Sequence, residues 1–317
     1  MPKLNLPVVI TPSRAELGTR CHRRHFLNDA LCRVRGTSAS LEFGSVIHAG
    51  AFAYWLKRDW REAITNEWNT RFEGPVTPDF ADKLSLEMAL AMGEFYVNNV
   101  KLAGPYQEAA DDWQLVDVEQ RFEIPIKDAV LSFQCDRLVY SKSQDWLLVG
   151  DLKTAGRLDA RWEKQWETSL QMKLYAAGTK TVFDHYGQVS VFIEGLYKHV
   201  PSDIRYFACP DWSQGLLQEA IFNAHNVAQM DEEILIRGHE AQLVVPVHRD
   251  HTLTPEKRMM PNVEKIEELA VRYTPVNYGD CYSYNQECPY RRICVADLEE
   301  RVGILRSEYT VKEVEDY

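Results

Sequence analysis

The sequence predicts an α/β domain built around a mixed central sheet, with helical additions at both ends of the chain. Three strand-like runs stand together, at about residues 115–126, 130–140 and 146–152. Helical patterns flank these runs and then alternate with two later strands, which is the order expected of an α/β domain. With 317 residues and 45% apolar composition, the chain can bury a substantial core.

The first and third predicted helices rest on capping residues and on the spacing of apolar residues. Ser13 can cap a helix that continues to about Leu31, because Glu16 three residues later completes a capping box. A third helix is predicted over residues 79–101. Both helices come before the strands, so they are expected to add to the sheet domain at its N-terminal side.

The second predicted helix, from about Ser40 to Asp59, has a stripe of residues at alternating spacings of four and three. This stripe is predicted to face the core, which would place its histidine on the inward side. Its members are Leu41, Ser45, His48, Phe52 and Trp55.

Helix and strand signals continue after the third strand. A helix is predicted from Asp159 to Gly178, followed by strands at about 189–197 and 204–208 and a helix over 213–236. A sheet assembled from strands in this order is expected to be mixed.

The composition limits the classes of function that the protein can have. A formal charge of -11 argues against binding nucleic acid through the whole surface, although it allows a local basic groove. No apolar segment reaches the roughly 20 residues that cross a bilayer, and the N-terminus lacks the apolar stretch of a secretion signal. The chain is therefore expected in the cytosol, away from membranes. There, seven cysteines indicate free thiols or metal ligands.

The stretch LLVGDLKT places two charged residues at the end of an apolar strand. Residues two apart on a strand share a face, so Asp151 and Lys153 are expected on one side and Leu152 in the core. Asp136, in FQCDRLVY on the preceding strand, can meet Asp151 across the sheet. Together with inward-facing His48, the two carboxylates predict an oxygen-rich pocket suited to Mg²⁺ or Mn²⁺.

A pocket of this kind has the parts needed to hydrolyse a phosphodiester. A metal ion activates the attacking water, and the ammonium of Lys153 stabilises the charge that develops at phosphorus. The alternative is a salt bridge between Asp136 and Lys153 at a strand end, because such short motifs also arise by chance. Glu119, on the first strand, is either a more distant member of the metal site or part of a solvated strand face.

Motifs on both sides of these acids resemble the RecB-like branch of the PD-(D/E)XK nuclease superfamily. Gly44 and His48 in GSVIH come before the acids, and Gln171 and Tyr175 in QMKLY come after them, one helical turn apart on one face. The resemblance implies a restriction-endonuclease-like core, divalent metal ions and a DNA substrate. The roles that it implies are metal binding by His48, Asp136 and Asp151, assistance of the attacking water by Lys153, and contact with the substrate strand by Gln171 and Tyr175.

Four cysteines resemble the iron-sulfur version of the same family, found in CRISPR-adaptation nucleases, AddB-type helicase-nucleases and many phage proteins. Cys281, Cys288 and Cys294 lie in DCYSYNQECPYRRIC, separated by six and five residues, and Cys21 lies near the other terminus. The resemblance implies a 4Fe-4S cluster that joins the two chain ends through a helical region. A four-cysteine Zn²⁺ site is the alternative.

The remaining cysteines and the nearby arginines complete the interpretation of the chain ends. The cysteines interpreted as core residues or as residues without a special role are Cys32, Cys135 and Cys209. The arginines predicted to form a phosphate-binding patch beside the cluster are Arg20, Arg23, Arg24, Arg291 and Arg292.

The predicted function is that of a metal-dependent deoxyribonuclease of the exonuclease type. Three segments are predicted: a helical segment with Cys21 at 1–39, a nuclease core at 40–240 and the three-cysteine segment at 241–317. The alternative is a module that binds DNA ends or recruits a helicase or integrase partner in recombination, repair or CRISPR adaptation. Two carboxylates at adjacent strand ends favour the enzyme, because they repel each other when unpaired and a binding module has no need of them.

Overall fold

The fold is described from a computed structural model of the chain. The described residues are 8–25, 33–34, 39–72, 84–102, 106, 112–240, 282–283, 286–297, 300, 303–304 and 307–311. Within these ranges, each helix is too short or too polar to span a lipid bilayer.

Helices and strands alternate along the chain in the order that the sequence predicts around the sheet. The helices are α1 Pro12–Arg20, α2 His22–His25, α3 Ala39–Trp55, α4 Trp60–Phe72, α5 Leu86–Asn99, α6 Ala160–Glu167, α7 Leu170–Val182, α8 Gln214–Glu240 and α9 Arg291–Val295. The strands are β1 Val8–Ile10, β2 Arg33–Val34, β3 Trp113–Ile126, β4 Ala129–Ser141, β5 Trp146–Ala155, β6 Gln188–Tyr197, β7 Ile204–Ala208, β8 Tyr282–Ser283, β9 Gln286–Glu287 and β10 Thr310–Val311.

The chain forms two compact units. The first unit comprises residues 1–36, 125–132 and 219–317, and the second comprises residues 37–124 and 133–218. In the first unit, β1 pairs in parallel with the beginning of β4, and two short antiparallel pairs join β2 with β10 and β8 with β9. The three segments predicted from the sequence stay a prediction.

The sheet of the second unit contains both kinds of strand pairing. β4 and β5 are antiparallel, β5 and β6 are parallel, and β6 and β7 are antiparallel. β3 pairs with β4 on its other side. The predicted α/β fold with a mixed sheet is therefore confirmed, since α6 and α7 form the crossover that parallel β5 and β6 require.

The first helix differs from its prediction at both ends. Its cap is Thr11, whose side chain accepts a hydrogen bond from a backbone N–H of the first turn, and Pro12 occupies the position where its missing N–H costs nothing. The predicted Ser13 cap is therefore wrong. The helix also ends early, because Cys21 adopts an extended conformation. The remainder of the predicted helix, residues 26–31, lies outside the described part of the chain.

The stripe of α3 that was predicted to face the core lines a cavity instead. Leu41 is 70% exposed and His48 is partly exposed, whereas Phe43 and Ile47, on another face, are buried. Apolar residues surround most of this helix, so spacing alone could not decide which face packs inward. The prediction is wrong for Leu41 and right for Trp55, which is 9% exposed. Ser45, His48 and Phe52 are partly buried, and Phe52 packs against the core as well as bordering the cavity.

Helix boundaries elsewhere were also predicted incompletely. Helix α4 was not predicted; its buried face in the structure contains Ile64, so its periodic signal is weak. α5 begins after its Ser85 cap and not at residue 79, although residues 79–83 lie outside the described ranges. The helix predicted from Asp159 onward is two helices, because Ser169 caps α7.

A buried ion pair lies in the core of the second unit. Arg137 on β4 pairs with Glu194 on β6, and their side chains are 2% and 0% exposed. The hydroxyl of Tyr96 donates a hydrogen bond to Glu194 Oε2 at 3.0 Å and accepts one from Arg137 Nη1 at 2.8 Å. Gly150 lies opposite Arg137, and a Cβ there would approach Arg137 Nη2 to 2.7 Å. The glycine of LLVGDLKT therefore leaves room for the guanidinium.

Candidate active site

Strands β4 and β5 bring Asp136 and Asp151 to neighbouring positions. In their antiparallel register Arg137 lies opposite Gly150, so the next pair along the ladder is Asp136 and Asp151. Asp136 Oδ2 accepts a hydrogen bond from the backbone N–H of Leu152 at 2.8 Å. This bond holds the carboxylate of Asp136 against the strand that carries the second acid.

Asp151 is a buried carboxylate with an ammonium beside it. Its side chain is 3% exposed, and Lys153 Nζ lies 2.7 Å from its Oδ2. Burial raises the pKa of Asp151; the charge of Lys153 opposes this rise, and that of Asp136 adds to it. Asp151 and Lys153 thus share a face as predicted, with Leu152 buried between them in sequence. Lys153 therefore forms an ion pair with Asp151, the acid of the same LLVGDLKT motif.

His48 approaches the acids from α3. Its Nδ1 lies 3.6 Å from Asp136 Oδ2, and its side chain is 29% exposed. Gly44, one turn earlier, lies against β5, where a Cβ would come within 3.2 Å of the hydroxyl of Thr154. A small residue at position 44 therefore allows the close approach that brings His48 to the site.

Glu119 on β3 adds a third carboxylate to this group. It lines the same cavity as His48 and Lys153, and its backbone has a φ of 50°, which is uncommon for residues other than glycine. Partial burial raises the pKa of Glu119; the charge of Asp136 adds to this rise and that of His48 opposes it. Glu119 thus belongs electrostatically to the acid cluster, although it is exposed.

Gln171 and Tyr175 lie on one face of α7. Gln171 Nε2 donates a hydrogen bond to the hydroxyl of Tyr175 at 3.2 Å. Tyr175 is 8% exposed, and burial, followed by the charge of Asp151, holds its pKa well above the ordinary value. The structure therefore brings this helix face close to Asp151, while the role of the two residues stays a prediction.

A cavity of about 1060 Å³ extends from this site between α3, α4 and the ends of the strands. Its wall includes Lys198, which was not predicted as a site residue. Lys198 Nζ donates a hydrogen bond to the hydroxyl of Ser40, and burial lowers the pKa of the lysine. The parallel pairing of β5 and β6 continues to Ala155 and Tyr197. This pairing puts Lys198 at the same end of the sheet as Lys153, but no local sequence pattern shows it.

Three of the four predicted cluster cysteines lie near one another in the first unit. Burial raises the pKa of Cys294 to about 11, the charge of Arg23 and its hydrogen bond to the thiol oppose the rise, and Cys288 and Cys21 add to it. Cys281 lies outside the described residues. The structure therefore gathers Cys21, Cys288 and Cys294, and the identity of any bound group stays a prediction.

The other cysteines and the proposed arginine patch have different surroundings. Cys135 is 1% exposed and Cys209 is partly buried, and burial raises the pKa of both thiols; Cys32 lies outside the described ranges. The phosphate-binding patch of arginines stays a prediction, and two of its predicted members have partners or surroundings of their own. Arg23 is 4% exposed, and Arg292 pairs with Glu308.

A mixed sheet with two acids and a lysine on neighbouring strands is the arrangement of a nuclease core. The chain belongs to the PD-(D/E)XK nuclease superfamily, whose family model matches residues 9–295.

Among solved structures, the chain is similar to a candidate exonuclease from Eubacterium rectale, with 14% identity, a TM-score of 0.45 and coverage of 74% of this chain and 82% of that one. It is also similar to the protein SSO0001, with 11% identity, a TM-score of 0.31 and coverage of 72% and 78%. No curated protein matches the sequence.

Proposed function

We propose that this nuclease is a divalent-metal-dependent deoxyribonuclease of the exonuclease type, from the RecB-like iron-sulfur branch of its superfamily. The observation that carries the proposal is the convergence of Asp136, Asp151 and Lys153, with His48 3.6 Å from the first acid. DNA is the proposed substrate, and a helicase or integrase partner stays a prediction from the resemblance.

In this proposal His48, Asp136 and Asp151 hold Mg²⁺ or Mn²⁺, as divalent ions typically serve this superfamily. When bound, the ion would act as a Lewis acid and make water a stronger nucleophile. Lys153 orients the attacking water and stabilises negative charge on the phosphate oxygens. Its ammonium is already held 2.7 Å from Asp151, so little reorganisation is needed.

The donor set fits such an ion in chemistry and requires a small movement in geometry. Carboxylate oxygens are the ligands that Mg²⁺ prefers, and an octahedral ion with bonds of about 2.1 Å keeps its ligands within about 4.2 Å of one another. Within the described residues, the donor atoms of His48, Asp136 and Asp151 do not all lie within 4.8 Å. Ion binding would draw these donor atoms together, because the positive charge of the ion neutralises the mutual repulsion of the two carboxylates.

Activity is expected to depend on an added divalent ion. The full chain should degrade end-labelled DNA with Mg²⁺ or Mn²⁺, lose this activity with a chelator and regain it when the ion is restored. Ca²⁺ should restore little, because its looser coordination positions water less well. Cleavage that resists chelation would contradict the proposed site, and DNA binding without cleavage under all these conditions would favour the DNA-end-binding module.

The face of α7 formed by Gln171 and Tyr175 is proposed to contact the substrate strand. Gln171→Ala and Tyr175→Phe are expected to weaken DNA binding about 3- to 10-fold, the value of one lost hydrogen bond, with unchanged metal affinity. Gln188→Ala is the matched control, because Gln188 is an exposed glutamine that bonds only weakly to Ser190 at 3.4 Å. Calorimetry that showed lost metal affinity with normal DNA affinity would assign the pair to the ion.

A 4Fe-4S cluster held by Cys21, Cys281, Cys288 and Cys294 is proposed for the first unit. Zinc-sulfur bonds of about 2.3 Å hold thiolates about 3.8 Å apart. Across the described ranges, Cys21, Cys288 and Cys294 do not form a group with all sulfur atoms within 4.8 Å, although their thiols influence one another. The thiols would have to move to bind either group, so the preference for a cluster over a single Zn²⁺ ion rests on the resemblance.

Protein purified without oxygen is expected to be brown and to contain about four irons per chain. Serine at any of the four ligand positions should remove the colour and destabilise the chain, because metal binding is coupled to folding. Iron and sulfide analysis with visible absorption measures both effects. The controls that should keep their colour are Cys32→Ser, Cys135→Ser and Cys209→Ser. Zinc without iron would reject the cluster and leave the nuclease site untouched.

A further inference from the structure

A second group of potential metal ligands lies in the first unit, apart from the cysteines. His22, His25 and Asp231 offer donor atoms that all lie within 4.8 Å of one another. Their side chains are 3%, 1% and 14% exposed, so water has little access. We infer that these three side chains form a binding site for a transition-metal ion of the Zn²⁺ type.

The local sequence CHRRH explains how the two histidines meet. His22 and His25 are three residues apart on α2 and therefore share one face of the helix. Their rings stack with centroids 5.8 Å apart. Asp231 comes from α8, so the ligands join two helices that are distant in sequence. Arg23, between the histidines, contacts the thiol of Cys294 instead.

The distances are close to those that a tetrahedral ion requires. Zn²⁺ with bonds of about 2.0–2.1 Å to nitrogen and oxygen holds its ligand atoms about 3.3 Å apart. His22 Nε2 lies 3.3 Å from Asp231 Oδ1, and His25 Nε2 lies 2.8 Å from Asp231 Oδ2. The two imidazole nitrogens lie within 4.8 Å of each other, so an ion would require the histidine side chains to move closer together. Two imidazoles and a carboxylate are a donor set that Zn²⁺ accepts, with its fourth position left for water or another ligand.

Both histidines hold the carboxylate of Asp231. Hydrogen bonds with His22 and His25 fix this carboxylate between the two imidazole rings. A buried carboxylate between two imidazoles is stabilised further when a divalent ion replaces their protons.

The alternative is a set of hydrogen bonds without metal, and the chain contains a control for it. His225 is a buried histidine that lies 2.5 Å from the carboxylate of Asp128 in the same unit, and among the described residues this pair is not part of a group of three potential metal ligands. Full-length protein is reconstituted with Zn²⁺ and analysed for metal as wild type, Asp231→Asn and His225→Gln. We expect about one zinc more per chain in wild type and His225→Gln than in Asp231→Asn. Equal zinc in all three proteins would overturn the site.

Cobalt distinguishes this site from the thiols and does not require the variant to fold. Co²⁺ added to metal-depleted wild-type protein should give the visible d–d bands of nitrogen and oxygen ligands in addition to any thiolate-to-cobalt charge transfer at the cysteines, and Zn²⁺ should abolish these d–d bands and raise the melting temperature. Cobalt spectra that contain only thiolate charge-transfer bands, or no spectral change at all, would reject the proposal. This readout is independent of DNA cleavage, so it also separates the site from the proposed active site.

Discussion

Lys153→Ala is expected to lower the rate of DNA cleavage by about 10²- to 10³-fold, the usual cost of losing one group that stabilises transition-state charge. Asp151→Ala should lower the rate at least as much, because it also removes a proposed metal ligand. Both variants should fold and bind DNA, since the loss falls on the reacting atoms. Single-turnover cleavage of end-labelled DNA with excess enzyme measures the chemical step, and filter binding measures DNA affinity.

A second lysine in the same unit provides the control. Lys180 Nζ lies 2.7 Å from Asp211 Oδ1, the same separation as that between Lys153 and Asp151, but on the surface. Lys180→Ala should therefore leave the cleavage rate nearly unchanged, because an exposed ion pair contributes little. Near wild-type cleavage by both Lys153→Ala and Asp151→Ala would show that the chemistry occurs elsewhere.

Arg137→Met is expected to lower the free energy of unfolding by about 3–5 kcal/mol, because it leaves the carboxylate of Glu194 buried without its partner charge. The pair is 2% and 0% exposed, and the Nε of Arg137 also donates a hydrogen bond to Tyr106 at 2.8 Å. Urea denaturation followed by circular dichroism measures the change.

The double variant Arg137→Met with Glu194→Leu separates the effect of an unpaired buried charge from the effect of lost packing. It should recover much of the lost stability, because replacing both charges removes the uncompensated one. Arg61→Met is the exposed counterpart: Arg61 lies 3.2 Å from Glu94 with about half of each side chain exposed. Its effect should stay below about 1 kcal/mol. If Arg137→Met were no worse than Arg61→Met, the buried pair would not be a determinant of stability.

The sheet could be predicted well because its signals are local. Alternating and β-branched runs fixed β3, β4 and β6 to within about two residues, and the bounds of β7 agree with its prediction. β5 extends past Leu152 to Ala155 because it pairs with β6 along its whole length. The pairing of β5 with β6 cannot be read from a local sequence pattern. The charged residues of LLVGDLKT suggested that the strand ends at Leu152.

The helices were less predictable because packing and capping decide their limits. The spacing in α3 identified a face with a special role, but periodicity does not distinguish a wall of a cavity from a wall of the core. The grouping of Asp136, Asp151 and Lys153 followed from strand geometry alone. The positions of Lys198 and of the histidines of α2 beside their partners could not be predicted in this way, since tertiary structure sets their neighbours.

The two faces of α3 have different freedom to vary. Phe43 and Ile47 pack in the interior, whereas Ser45, Ala49 and Phe52 border the cavity. Substitutions at Ser45 and Ala49 should cost little in folding, whereas substitutions at Phe52 should cost more because Phe52 also packs against the core; all three would alter the shape of the cavity. A library randomised at these three positions would therefore be a practical starting point for engineering altered selectivity.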